Sequence, residues 1–343
     1  MDGSMRRSKS ADLAALWSII ILTWLGAAAS ACAQTAPTAF DAAKLLGRGV
    51  NIIGYDPLWT DRSQARFKTK HFRILHDGGF QSVRVNLQAF SHMDADNQLD
   101  PRWLATLDWV VRSAQAQHLA VIIDEHDFEV CSRDPDACQP RLLAFWSQIA
   151  ERYKDQPAGV VFEILNEPNS KLTADRWNAL AADALAVIRR ANPTRTVIIG
   201  PDMWNSINEL DKLVLPADDR NILVTVHYYL PMSFTHQGAS WVDATKHLSG
   251  VTWGTPEDYA KITADFDKVQ AWATANNRPI LLGEFGAYDK GDIDSRVRYT
   301  AAVARAAEAH GWPWEYWQFD SNFIVYDMAK DDWVEPIHKA LIP

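Results

Sequence analysis

The chain has 343 residues, a formal net charge of −9 at pH 7, 48% apolar side chains and 22% charged ones. Even without a leader, that length fits one large domain whose core needs neither a disulfide framework nor a metal to fold. The acidic balance, with no Lys/Arg-rich run after the leader, leaves nothing to bind phosphates, so nucleic acid is excluded as a partner and a neutral ligand is expected.

The first thirty or so residues read as an export signal. Arg6, Arg7 and Lys9 form a positive start, Leu13 to Ala29 is largely apolar, and Ala31-Cys32-Ala33 precedes Gln34 in the pattern signal peptidase cleaves. Residues 1–33 are therefore expected to be removed and the mature chain to be secreted or periplasmic, free of the membrane. Lipid attachment at Cys32 is the minor alternative, because Ala29 stands where a lipobox usually carries Leu. Residues 34–46 are expected to be a short linker before the domain at 47–343.

From there, apolar β-rich runs alternate with helix-period segments. The expected strands are Gly47–Ile52, Ser82–Asn86, Ala120–Asp124, Val160–Leu165, Thr196–Ile199, Ile222–His227, Ile280–Glu284 and Trp314–Phe319. Several are almost continuously apolar, as a strand buried on both faces must be. Helices are expected over Pro101–Gln117, Pro140–Lys154, Thr173–Ala191 and Pro256–Asn276, the first announced by Asp100 as N-cap and Pro101 behind it. Eight βα repeats in one domain predict an α/β fold of the (β/α)8 barrel type. A doubly wound open sheet is the alternative, but no Gly-rich turn follows the first strand. Cys131 and Cys138 flank a short segment rich in Asp, Arg and Pro. In an oxidising compartment they are expected to close a small surface loop as a disulfide. Zinc is the rival, without a further Cys/His pair at ligand spacing.

Barrel active sites are assembled at the C-terminal ends of the strands. Those positions here hold Arg84, His126, Asn166, Glu167, His227, Tyr229, Glu284 and Trp317. Any one of them alone has an ordinary structural explanation, as a cap, a loop ion pair or a satisfied core histidine; their convergence on one ring does not. Glu167 and Glu284 each end a strand, on the fourth and seventh, and would face each other across the mouth. Two facing carboxyls are what glycoside cleavage requires, one to protonate the leaving oxygen and one to attack or stabilise the anomeric carbon.

The ordered runs Arg48-Gly-Val-Asn51, Ser82-Val-Arg84-Val, Asp124-Glu-His126, Leu165-Asn-Glu-Pro168, His227-Tyr-Tyr229 and Gly283-Glu-Phe-Gly286 resemble glycoside hydrolase family 5, whose best-known members are endo-β-1,4-glucanases. The resemblance covers Gly47 to Trp317. It implies a secreted, retaining endo-β-1,4-glucanase with no cofactor and no metal. In that scheme Glu167 is the general acid/base and Glu284 the nucleophile, held ionised by Arg84 and Tyr229. Asn166 meets the sugar 2-hydroxyl, His126 and His227 line the site, and Trp317 is the floor under the reacting sugar. The charge of Glu284 is expected to raise the pKa of Glu167.

Tryptophan is over-used, at 15 residues, and Trp59, Trp204 and Trp253 are candidates for outer sugar subsites or for loop packing. Asp202 and Asn205 are placed to touch sugar; Glu163 and Tyr228 are expected to be structural. The two-cysteine segment after His126 departs from the general family pattern and makes the cleft there its own. No carbohydrate-binding module is evident in the sequence, so soluble or amorphous β-glucan is expected over crystalline cellulose. A monomer is expected. The alternatives are the same chemistry on mannan, xyloglucan or mixed-linkage glucan, transfer to a sugar acceptor, and, from another class, a non-catalytic carbohydrate-binding barrel.

Overall fold

The computed structural model describes residues 37–343, so the leader expected over residues 1–33 lies outside the described residues. Eight parallel strands close on themselves: β1 Arg48–Ile52, β2 Ser82–Leu87, β3 Ala120–Glu125, β4 Val160–Glu163, β5 Val197–Ile199, β6 Ile222–Tyr228, β7 Ile280–Phe285 and β8 Trp314–Tyr316. They pair in chain order, and β8 returns to β1 through Arg48 opposite Trp314. Successive residues of a strand point to opposite faces. One set, including Val83, Val85, Val121 and Ile123, joins the large core beneath the helices. The other turns inward, where Ile122, Val161, Ile198, Leu223 and Leu281 form a separate apolar layer low in the barrel.

The helices Thr69–Asp77, Pro101–Gln115, Pro135–Arg152, Ala174–Ala191, Pro256–Asn276, Ile293–Ala309 and Glu335–Leu341 cover the outside. Asp100 caps its helix as expected, accepting from the Arg102 N–H at 2.6 Å. The helix expected from Pro140 begins five residues earlier, at Pro135, because Asp134 caps it through the Ala137 N–H at 3.1 Å. Between β5 and β6 the chain makes only the single turn Asp202–Asn205 and a 3-10 turn at Leu210–Lys212.

Two expectations need correction. The linker expected over residues 34–46 contains a helix, Ala39–Leu46, started by a capping box in which Thr38 and Asp41 satisfy each other's backbone N–H groups. Its Ala39, Ala42, Ala43 and Leu46 are buried against the inward layer of the barrel, so it closes the floor. Cys131 and Cys138 are disulfide-bonded, but not in a surface loop: they join the helices Phe128–Arg133 and Pro135–Arg152, and both are fully buried. Among the described residues, no helix is long and apolar enough to cross a membrane.

One irregularity aims a side chain. Between β6 and β7 the register runs Val226 opposite Leu282 and then His227 opposite Glu284, so Gly283 is an extra residue on β7. Strict alternation from inward Leu281 would turn Glu284 outward; the bulge re-aims it into the barrel mouth. Only a residue without a Cβ fits, because a Cβ at Gly283 would collide with Thr225 Oγ1.

Candidate active site

The centre of the mouth is Arg84, on β2 and fully buried. Its Nε and Nη2 donate to the two oxygens of Glu163 at 2.7 and 2.8 Å. Nη1 donates to Glu284 Oε1 and to Asn51 Oδ1, each at 2.8 Å. Nη2 also donates to Asn166 Oδ1 at 2.8 Å and lies 3.1 Å from Asp124 Oδ2. One guanidinium thus ties β1, β2, β3, β4 and β7 together; its fork suits paired carboxylate oxygens as an ammonium would not. Glu163 is structural, as expected, and burial pushes its pKa to about 7 even though the charge of Arg84 works the other way.

Glu284 is buried and held from two sides, by Arg84 and by the Tyr229 hydroxyl, which donates to Oε2 at 3.0 Å. Glu167, in a left-handed backbone conformation (φ 39°) just past β4, faces it. Burial raises the pKa of Glu167 to about 7, while the charges of His126 and Arg84 pull it down and that of Asp124 adds to the rise. The cause is therefore desolvation first, not the Glu284 charge expected from sequence. His227 bridges the pair, with Nδ1 at 2.7 Å from Glu167 Oε1 and 3.6 Å from Glu284 Oε2. Burial drives its pKa down to about 3, so the ring is neutral.

His126 sits on the opposite wall. Its Nδ1 is 2.6 Å from Asp124 Oδ2 and its Nε2 is 3.3 Å from the Asn166 amide. Burial alone would lower its pKa, but the Asp124 carboxylate outweighs that and raises it. The Trp317 indole, half-buried, lies parallel to the His126 ring at 5.7 Å with an interplanar angle of 7°. All eight residues expected at the strand ends converge here. One donor atom from each of Glu167, His227 and Glu284 lies within 4.8 Å of the other two, so the same trio has the donor set for a cation.

The outer tryptophans divide. Trp59 is buried, its indole N–H donating to the Ile53 carbonyl at 2.8 Å and its ring against Trp103. Trp253 is buried between Tyr259 and Tyr299. Neither can present a face to a ligand, so both are corrected to packing. Trp204 alone of the three is open, 46% exposed. Asp202 and Asn205 are buried, and Asn205 contacts His227 rather than solvent; they too are corrected.

Sequence reasoning missed several residues. Asn51 and Asn86 complete the floor of the site, Asn86 donating to Asn51 Oδ1 at 3.0 Å and to Asp124 Oδ2 at 3.1 Å. Their inward parity on β1 and β2, shared with Arg84, was the available signal. An aromatic path, Tyr229 to Phe323 to Tyr288 to Trp241, runs outward with centroids 5.9, 5.8 and 5.0 Å apart. Trp241, at its end, is 53% exposed. It lies in an irregular loop where no periodicity points to it. Tyr55 is exposed on the loop after β1; desolvation of its hydroxyl and then the charges of Glu284, Glu129 and Glu167 push its pKa to about 12.

The family model described as cellulase (glycosyl hydrolase family 5) matches residues 44–323. The chain belongs to glycosyl hydrolase family 5. Endoglucanase H of Acetivibrio thermocellus is 29% identical over 301 residues, which is 84% of this chain and 32% of that protein. Endoglucanase 3 of Fibrobacter succinogenes is 28% identical over 363 residues, 90% of this chain and 54% of that protein. This family 5 chain therefore spans about a third and about half the length of these two relatives. Among solved structures, Cel5A of Thermotoga maritima in complex with cellobiose superposes with a TM-score of 0.85 at 40% identity, covering 89% of this chain and 100% of that one. The same protein is also known in complex with mannotriose. The expected fold and the expected family 5 glycoside hydrolase are both met.

Proposed function

We propose that this family 5 protein is an exported, retaining endo-β-1,4-glucanase with Glu284 as nucleophile and Glu167 as general acid/base. The observation that carries the reading is the 4.8 Å limit on the distance between an oxygen of Glu167 and one of Glu284. Retaining enzymes hold their carboxyls about 5–5.5 Å apart, whereas inverting ones leave roughly 6.5–9.5 Å for a water. A gap this small favours direct attack.

In the first step Glu284, held by Arg84 and oriented by Tyr229, attacks the anomeric carbon while Glu167 gives its proton to the departing oxygen. The developing positive charge on the sugar meets a site rich in carboxylate. In the second step Glu167, now ionised, takes a proton from water, which opens the glycosyl ester. Asn166, pinned through its Oδ1 by Arg84, presents its amide to the sugar 2-hydroxyl, and Trp317 supplies the flat floor. Trp204 and Trp241 extend the cleft as sugar platforms. The expected export through residues 1–33, the monomeric state and the absence of a cofactor are part of the same reading.

A second substrate has a specific observation behind it: the Cel5A relative has been crystallised with mannotriose as well as cellobiose, so activity on β-mannan accompanies that on β-glucan. Transfer to sugar acceptors follows from the same glycosyl ester. The test is reducing-sugar release from carboxymethyl cellulose, mannan, xylan and mixed-linkage glucan, with product anomers followed by proton NMR. Initial release of the β-anomer and loss of activity in Glu284→Gln are expected. Initial α-anomer, or an unaffected variant, rejects the mechanism, and no release at all returns the chain to carbohydrate binding.

A further inference from the structure

After β5, three consecutive residues, Met203, Trp204 and Asn205, have left-handed backbone, with φ of 52°, 62° and 53°. Of these side chains only Asn adopts that region with any ease, and strain of this kind persists where the surroundings over-determine it, often at functional sites. The surroundings here are the acid/base segment itself. The Trp204 N–H donates to the Pro168 carbonyl at 3.2 Å, and Ser206 forms a parallel bridge to His227. The turn drives the Asn205 side chain inward until it is fully buried, with Nδ2 at 3.2 Å from His227 Nε2. Gly200 makes the room, because a Cβ there would collide with Asn205 Oδ1.

The amide orientation follows from the environment of its other end. Oδ1 is buried against Gly200 without a partner among the described residues. The reverse orientation would bury the NH2 there, leaving both of its donors unpaired, and orphaned N–H groups are less tolerated than an unpaired carbonyl. Nδ2 therefore faces the imidazole. A neutral imidazole carries one proton, and the bond made by one ring nitrogen decides which nitrogen holds it. The charged groups around this ring are Glu167, Glu284, Arg84, Asp124 and His126; the two glutamates lie 2.7 and 3.6 Å from its Nδ1.

We propose that Asn205 is a positioning residue for Glu167: by donating to His227 Nε2 it fixes the ring as the Nδ1–H tautomer, so that the ring always donates to Glu167 Oε1. The idea rests on Glu167 being the acid/base. With Oε1 occupied as an acceptor, the acid proton is confined to Oε2, the oxygen left free for the departing sugar. When Glu167 is ionised in the second step, the same N–H stabilises the carboxylate. In the opposite tautomer Nδ1 would be a lone pair facing Oε1, and the acid proton would be drawn into the ring instead of the leaving group.

The direct test is the imidazole nitrogen spectrum of the full chain labelled with nitrogen-15 histidine, with His227 assigned by its loss in His227→Gln. Protonated Nδ1 and bare Nε2 are expected; the reverse overturns the proposal whatever the activity. The functional test is Asn205→Gly, which keeps the left-handed backbone without strain and removes the amide. A fall of about 100-fold in kcat/KM is expected on cello-oligosaccharides, whose leaving group needs a proton, within the range general acid catalysis supplies. On aryl cellobiosides with acidic leaving groups the fall is expected to stay under about 10-fold, since little acid assistance is needed there. Equal falls on both substrates overturn it. Because the tautomer is read without turnover, an inactive chain with protonated Nδ1 would sink the proposed glucanase function and leave the hydrogen-bond assignment standing.

Discussion

Arg84 grips Glu163 through two parallel hydrogen bonds, Nε to Oε2 at 2.7 Å and Nη2 to Oε1 at 2.8 Å, and so has one edge left to aim at Glu284. The carboxylate deep in the barrel thereby sets the guanidinium plane from which the one at the mouth is held. Glu163→Gln replaces one acceptor oxygen by a donor facing a cation. Breaking a buried pair from one side costs roughly 3–5 kcal/mol. The expected outcome is that loss in denaturant unfolding, together with a fall in kcat on soluble β-glucan and a nearly unchanged KM.

In the proposed mechanism Glu167 governs the alkaline side of activity. Its pKa is raised to about 7 by burial, and it must be protonated to assist departure. The kcat/KM profile is expected to fall above about pH 7, and that limb is expected to vanish in Glu167→Gln assayed on aryl glycosides with acidic leaving groups. A limb that survives the substitution assigns the acid to another group.

Glu315 governs stability without touching the site. It is fully buried, accepts from the Ser82 hydroxyl at 2.6 Å, and burial raises its pKa from 4.5 to about 8. Below 4.5 it is protonated in both the folded and unfolded chains, so its neutral form costs nothing extra. As pH rises toward 8 the unfolded chain ionises while the folded one keeps its proton, and stability is lost across that window. Glu315→Gln removes the titration. The variant should match the wild type at pH 5 within about 1 kcal/mol and exceed it at pH 8 by about 2–4 kcal/mol in denaturant unfolding.

Gly283→Ala tests the bulge. The added methyl meets Thr225 and crowds His227, and overpacking of this kind costs about 1–3 kcal/mol. Because the same residue aims Glu284, activity is expected to fall by far more than the melting temperature suggests, as compared by calorimetry and initial rates.

The tryptophans give a paired experiment. Trp253→Ala is expected to cost roughly 3–5 kcal/mol of stability, as deletion of a buried aromatic does, with KM unchanged. Trp204→Ala is expected to leave the melting temperature in place and raise KM for long oligosaccharides several-fold.

The barrel was legible because parallel strands buried on both faces write themselves as apolar runs, and the mouth because each of Arg84, His126, Glu167, His227 and Glu284 follows such a run. What period and motif could not convey was anything depending on a third dimension. The direction of Glu284 rests on one extra glycine in the register, invisible without the neighbouring strand. The burial of Trp59 and Trp253 depends on which helices close over their loops. Asn205 was placed to touch sugar, not to reach His227, because three left-handed residues in a row have no sequence signature beyond the Asn itself. The helix Ala39–Leu46 was missed because eight residues are too short for periodicity to separate from a linker, although Thr38 and Asp41 already spelled its cap.

That short helix also gives the molecule a polarity. Since it seals the end of the barrel away from Glu167 and Glu284, the barrel is shut at one pole and open at the other. A tether, a display scaffold or a solid support fixed to the outer face of that closed pole would hold the enzyme with its open end facing outward, clear of the linkage.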